Sequence, residues 1–231
     1  MIEHEDSVLA WVAGYVDTLG FIALFGLFTA HVTGNFVLIG AEAAGVGQGV
    51  LLKLLAFPSF IAGIALSSVM FKFMERRYAM HAPSGLYVLQ AVLLISFLVT
   101  GVIATPIQDS SASIVLLCGV LGTMAMGVQN ARGRLLQTVG LPNTVMTGNV
   151  TQTVLDLIEL IHRGTGGGHG QQVMGRLKST LAAMGGFAIG AICGAMAYVR
   201  FSFIAISLPV AVLLVLAWKS RAVAQGAARS E

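Results

Sequence analysis

The sequence predicts an all-α, polytopic membrane helix bundle made of two inverted-topology repeats, each of three spans plus a re-entrant or broken-helix segment. Composition, an internal repeat and the placement of the charges predict it. Of 231 residues, 56% are hydrophobic and only 10% charged, and the mean hydropathy is +0.86. Soluble domains run nearer 25% charged, and a chain this apolar lacks the polar surface that a water-soluble fold needs. The deficit excludes an ordinary soluble domain, a disordered chain and a nucleic-acid-binding arm. At ~20 residues per span, the length allows roughly six to eight segments in a single transmembrane domain over 1–231.

The apolar runs fall at 7–26, 29–46, 51–74, 84–105, 113–131, 143–162, 177–199 and 201–219. They form two sets of four, repeat one over about 7–106 and repeat two over about 112–220. Gly14-Tyr15-Val16-Asp17 aligns with Gly127-Val128-Gln129-Asn130, and Gly20 with Gly133. One residue out of that register, Thr33-Gly34-Asn35 aligns with Thr147-Gly148-Asn149, and Glu42 with Asp156. In the third segments Ser59, Gly63 and Ser67 align with Gly186, Gly190 and Gly194. Small residues every fourth position let two helix backbones approach closely in lipid. The expectation is that the two third segments cross each other at the pseudo-symmetry axis. A generic helix contact or a homodimer face is the alternative.

Charge placement decides how many segments cross. If all eight do, with the N-terminus inside, Lys53, Arg163, Arg176, Lys178, Lys219, Arg221 and Arg229 are cytoplasmic. Lys72, Arg76, Arg77, Arg132, Arg134 and Arg200 are then outside, and there is no bias. If the second and sixth segments do not cross, eleven of the thirteen basic residues become cytoplasmic, and only Lys53 and Arg200 stay outside. The positive-inside rule favours this second arrangement. It gives six spans, both termini cytoplasmic, and halves that insert in opposite directions, as recurs in transporters. The two remaining segments are re-entrant half-helices or parts of broken spans.

These two segments are too polar to face lipid. The sixth holds Thr144, Thr147, Asn149, Thr151, Gln152, Thr153, Asp156 and Glu159, and the second holds His31, Asn35 and Glu42. A central Asp in lipid costs ~2.5–3.5 kcal/mol. Such a segment is shielded by protein, lines a wet cavity, or lies at the interface.

The candidate substrate or ion site is drawn from both halves: Asp17, His31, Thr33, Gly34, Asn35, Asn130, Thr147, Gly148 and Asn149. Thr and Asn favour helix N-caps, and Gly permits the turn. Each Thr-Gly-Asn is expected to open a short helix whose free N–H groups point at a ligand. Plain capping without a ligand is the competing reading. Asp17 is an intramembrane carboxylate that carries a proton, binds a cation, or accepts hydrogen bonds from the broken backbone. Glu42 and Asp156 are expected near the membrane surfaces. His31 has no counterpart in the second half and titrates near neutral pH unless it is simply packed. Arg132 and Arg134 are expected as cytoplasmic anchors, or as attractors of an anionic solute. The run Gly164–Gly170 lacks the Lys-Ser/Thr of a phosphate loop and reads as a flexible loop. Cys118 and Cys193 lie in apolar runs and read as small hydrophobes. A cleaved signal peptide is not expected, since no basic stretch precedes the first apolar run. No metal-ligand spacing or nucleophile motif occurs, so neither a cofactor, a metal nor an enzyme activity is expected.

Gly14-Tyr15-Val16-Asp17, the run His31-Val32-Thr33-Gly34-Asn35, Gly127-Val128-Gln129-Asn130 and Thr147-Gly148 resemble the YoaK-like bacterial membrane proteins, a domain family of unknown function. The resemblance covers nearly the whole chain and implies a polytopic inner-membrane protein. It supplies no substrate. In that family the second-half motif often reads Thr-Gly-Thr, whereas Asn149 here makes the halves more alike.

The functional expectation is a small secondary transporter or permease whose midplane site lies at the two Thr-Gly-Asn helix starts. A small-solute channel and a non-transporting scaffold or receptor are the rivals. The expected partners are membrane lipid, a small solute, a coupling proton or cation, and, as an open alternative, a second copy of the chain. Nucleic acid is not among them.

Overall fold

A computed structural model describes residues 5–78, 81–136, 146–164 and 167–228. Asn143, Thr144, Val145, Thr165, Gly166 and Arg229, all invoked above, lie outside the described residues. The order is α1 (Glu5–Ala23), α2 (Gly34–Ala43), α3 (Val50–Tyr78), α4 (Ala82–Ala104), α5 (Ser113–Leu135), α6 (Met146–Arg163), α7 (Gly167–Phe201) and α8 (Ser207–Ala228). A 3-10 turn, Ser202–Ile206, joins the last two. Among the described residues there is no strand, as the sequence predicts. α7 begins inside the glycine run expected as a loop, so only its first residues connect α6 to α7.

Among the described residues, four stretches are long and apolar enough to cross a bilayer: Val50–Tyr78, Ala82–Ala104, Ser113–Leu135, and Gly167–Val223, which joins α7 and α8. The bundle has an apolar core, yet its outer surface is apolar as well, and a few polar side chains lie inside. Val69, Val99, Ile103, Val199 and Trp218 face outward, while Ser67, Gln90, Thr123 and Gln129 are buried. That distribution suits a lipid solvent. α1 carries Glu5, Asp6 and Asp17 in 19 residues, yet Leu9, Ala10 and Val12 through Asp17 are buried. It is the central helix, and its acids are tolerated because other helices surround it.

The small-residue faces pack differently from the expectation. α7 lies on α1, and α3 on α5, rather than α3 on α7. The carbonyls of Ser7, Trp11 and Tyr15 press on Gly186, Gly190 and Gly194, closer than any Cβ would permit. Both sets repeat every four residues, so α1 and α7 run parallel. Gly14 meets the Phe187 carbonyl, and its aligned partner Gly127 meets the carbonyl of Phe60, which aligns with Phe187. Likewise Gly190 meets Trp11, and Gly63 meets Met124. The same backbone contact therefore occurs twice, between α1 and α7 and between α3 and α5. Ser59 and Ser67 serve as small residues, because their hydroxyls donate to their own helix at Leu55 (2.6 Å) and Ile64 (2.7 Å). The reason for the difference is that the glycine carriers in the two halves need a flat partner. The first helices, with Gly14 and Gly127, supply one, and the third helices do not face each other. These faces are consumed inside the chain and are not free for a second copy.

The equivalent helices α1 and α5 are antiparallel. Gln129 Nε2 donates to the Leu9 carbonyl (2.8 Å), and three residues on, Arg132 pairs with Glu5.

Gly190→Leu is expected to destabilise the bundle by ~1–3 kcal/mol or prevent assembly, since backbone rather than a pliable side chain blocks the new atoms. Gly185→Ala, which points into open space, is expected to be neutral or stabilising by up to ~1 kcal/mol. Thermal unfolding of the two variants in one detergent checks both.

Candidate functional site

The break after α1 follows from its local sequence. Phe25 (φ 52°) and Gly26 (φ 79°) adopt the left-handed conformation. The Gly26 amide donates back to Phe21 (3.0 Å), the bond that closes a helix C-terminus and reverses the chain. The loop then runs back along α1 until Thr29 and Ala30 lie beside Asp17.

Asp17 organises this loop. Its Oδ1 accepts the Thr29 amide (2.7 Å), the Ala30 amide (2.7 Å) and the Thr29 hydroxyl (3.3 Å). Its Oδ2 lies 2.7 Å from His31 Nδ1. Asp17 is 3% exposed, whereas the His31 side chain is 33% exposed and packs edge-on to Phe187 of α7. Unpaired amides at this depth would cost several kcal/mol each, and a carboxylate is the strongest acceptor available for them. Asn35 closes the loop from the other side. Its Oδ1 accepts from the Phe28 amide (2.9 Å) and its Nδ2 donates to the Phe28 carbonyl (2.8 Å).

The start of α2 differs from the expectation. The amides of Gly34, Asn35 and Phe36 donate to the carbonyls of His31, Val32 and Thr33 at 2.8, 3.1 and 3.2 Å. Thr33 occupies the N-cap without a capping bond and is exposed. The tight turn before α2 thus uses up the donors that were expected to face a ligand. The donors left over in the break are those of Thr29 and Ala30, and Asp17 takes them.

α2 leads back to where the chain left α1. Lys53, in the first turn of α3, donates to the Phe25 carbonyl (2.7 Å), the Gln48 carbonyl (2.8 Å) and Glu42 Oε1 (2.5 Å). The chain from the end of α1 through α2 to the start of α3 therefore follows a hairpin path that brings Lys53 back to Phe25.

In the second half, Thr147 and Gly148 are exposed and Asn149 is buried. Asn130 is half-buried on α5. The counterpart of the Asp17-bound loop, 137–145, lies outside the described residues. Asp156 is fully buried and accepts from Gln152 (2.7 Å) and from Arg176 Nε (2.9 Å). Asn35 and Glu42 share one face of α2, and Asn149 and Asp156 share the matching face of α6. Both faces turn inward against the following helix, while Phe36, Val37, Val150 and Val154 turn out. The expectation places Glu42 and Asp156 near the membrane surfaces, where a carboxylate is unremarkable. They are buried ion-pair partners, because each third helix carries a base within reach.

A second polar cluster sits at the opposite end of α1. Arg132, expected as an exposed anchor, is 5% exposed, pairs with Glu5, and stacks over the Tyr87 ring at 4.2 Å. Burial follows from α5 packing antiparallel to α1, which brings the end of one to the start of the other. Arg134 is exposed. Gln90 donates to Gln129 (2.7 Å), which in turn holds Leu9. Sequence reasoning missed Thr29, Lys53, Tyr87, Gln90 and Gln129. The glutamines inside apolar runs, and two acids opening an apolar helix, were the signals available.

Long apolar helices with outward-facing apolar side chains, packed around a core that also holds hydrogen-bonded polar groups, define a multi-pass membrane protein. The chain belongs to the family described as "Protein of unknown function (DUF1275)", which it matches over residues 7–218. It is similar to the UPF0700 transmembrane protein YoaK of Bacillus subtilis (strain 168), 28% identical over 152 residues. That match spans 65% of this chain and 65% of the relative, so just under two thirds of each is covered. No solved structure matches the chain significantly.

Asn35→Ala strips both partners from the Phe28 peptide group and is expected to cost ~1–3 kcal/mol. Asn35→Asp keeps the acceptor and loses the donor, so it should fall between the two. Melting temperatures in detergent, read beside limited proteolysis of the 24–33 loop, check the order.

Proposed function

We propose that this protein is a small secondary transporter of the bacterial inner membrane, with both termini cytoplasmic, built as a 3+3 inverted repeat. The antiparallel α1 and α5 and the paired contacts at Gly14 and Gly127 support the inversion. Two such halves rocking against each other would expose a central site to each side in turn. The reading excludes enzyme chemistry and calls for lipid, a small solute and a coupling proton.

One observation carries the choice of a proton. Asp17 divides its two oxygens: Oδ1 holds the loop backbone, while Oδ2, among the described residues, faces the imidazole of His31. A carboxylate–imidazole pair at membrane depth carries net charge when the imidazole is neutral and none when it is protonated. Net charge there is costly, so solute entry and proton binding are coupled through the pair. Because the same carboxylate orders the re-entrant loop, any movement of that loop is felt by the proton.

Proteoliposomes holding a trapped pH-sensitive dye test this against a panel of small polar solutes. A solute gradient should drive saturable proton movement, and His31→Gln should abolish the proton movement in protein that still folds. Flux that neither saturates nor moves protons would point to a channel, and no flux to a scaffold. In a variant lacking Cys118 and Cys193, single cysteines at Arg77 and Arg163 should label from one side of the membrane and at Arg200 from the other. Labelling of positions 77 and 163 from opposite sides overturns the six-span arrangement.

A further inference from the structure

The hairpin through α2 ends where three oxygens, of the type that bind hard cations, surround a lysine ammonium. Lys53 Nζ is held by the Phe25 carbonyl, the Gln48 carbonyl and Glu42 Oε1 at 2.5–2.8 Å. The Lys53 and Glu42 side chains are 2% and 4% exposed. The remaining oxygen, Glu42 Oε2, is buried without a partner. The backbone is shaped for this. Gly45, Gly47 and Gly49 all have positive φ (85°, 101° and 98°), so the chain from α2 to α3 curls around the ammonium and turns the Gln48 carbonyl inward. A Cβ on Gly49 would come within 3.4 Å of Nζ. Phe25 itself is left-handed, which aims its carbonyl out of the end of α1.

Carbonyl and carboxylate oxygens are the ligands of hard cations. One carboxylate with two neutral carbonyls balances a single positive charge, so the set is matched to a monovalent ion. An ammonium group is close in size to potassium. We propose that this is an alkali-cation site in which the Lys53 ammonium stands permanently as the cation. The tethered charge locks α1, α2 and α3 together without taking an ion from solution. On the transporter reading above, the first half is then independent of sodium and potassium at this point, which leaves the proton as its mobile ion. The assignment of the site does not depend on that reading, because its test measures stability and not transport.

The test compares full-length wild type, Lys53→Ala and the double variant Lys53→Ala/Glu42→Gln in detergent. Unfolding is followed in choline, lithium, sodium and potassium chloride at equal ionic strength. Wild type should unfold at the same temperature in all four salts. Lys53→Ala should unfold at lower temperature in choline and regain stability in at least one alkali salt, the gain rising with the logarithm of cation concentration above the dissociation constant. Adding Glu42→Gln should remove the recovery. Lys53→Gln, whose amide can still donate to the carbonyls, serves as the milder form of the same vacancy and should show the same cation preference. Equal behaviour of both single variants in choline and in every alkali salt overturns the proposal. So does failure of both to fold when purified throughout in each alkali salt, and so does a recovery that survives Glu42→Gln.

Discussion

The fold depends on backbone amides at a depth where water cannot serve them. A chain that leaves a helix inside a bilayer exposes donors, and each unsatisfied one costs several kcal/mol. Asp17 answers this with a single carboxylate that takes the amides of Thr29 and Ala30. Asn35 answers it again at Phe28. The reversal at Phe25 and Gly26, the tight turn into α2 and the return to Lys53 all follow from where Asp17 holds the loop.

The second constraint is the absence of a hydrophobic drive between helices in lipid. Close backbone contact has to take its place, through dispersion and Cα–H···O=C contacts. That is why glycine and serine recur every four residues on α3 and α7, and why glycines also stand on α1 and α5. The contact is made twice, α7 lying on α1 and α3 on α5, and neither pair can be separated without exposing its flat faces.

With these contacts made by small residues, the polar groups are drawn inward. Glu42 with Lys53, Asp156 with Arg176, and Glu5 with Arg132 tie neighbouring elements together at three places. Arg176 reaches solvent, whereas the Glu42–Lys53 and Glu5–Arg132 pairs are buried and add modest net stability, because desolvation offsets much of the attraction. Removing one partner is far more damaging than replacing both. They serve to fix which helix end meets which.

Composition alone determined a helical membrane protein, since 10% charge cannot cover a soluble core. Repeat order and charge placement singled out the segments of α2 and α6, because a short helix bearing Asp or Glu is costly unless protein or water shields its acid from lipid. Asp17 as an acceptor for broken backbone was legible for the same reason. The sequence did not determine the partners. Spacing puts Gly186, Gly190 and Gly194 on one face but does not say which helix that face meets, and the partner is α1 and not α3. It did not show that the amides at Gly34 to Phe36 turn back on the preceding carbonyls, because that depends on the path of the 24–33 loop. Nor did it join Lys53 to Glu42 and Phe25, or Arg132 to Glu5. Those pairings rest on contacts between residues far apart in the chain. Local pattern fixes which way a side chain faces, and only the packed bundle decides what it faces.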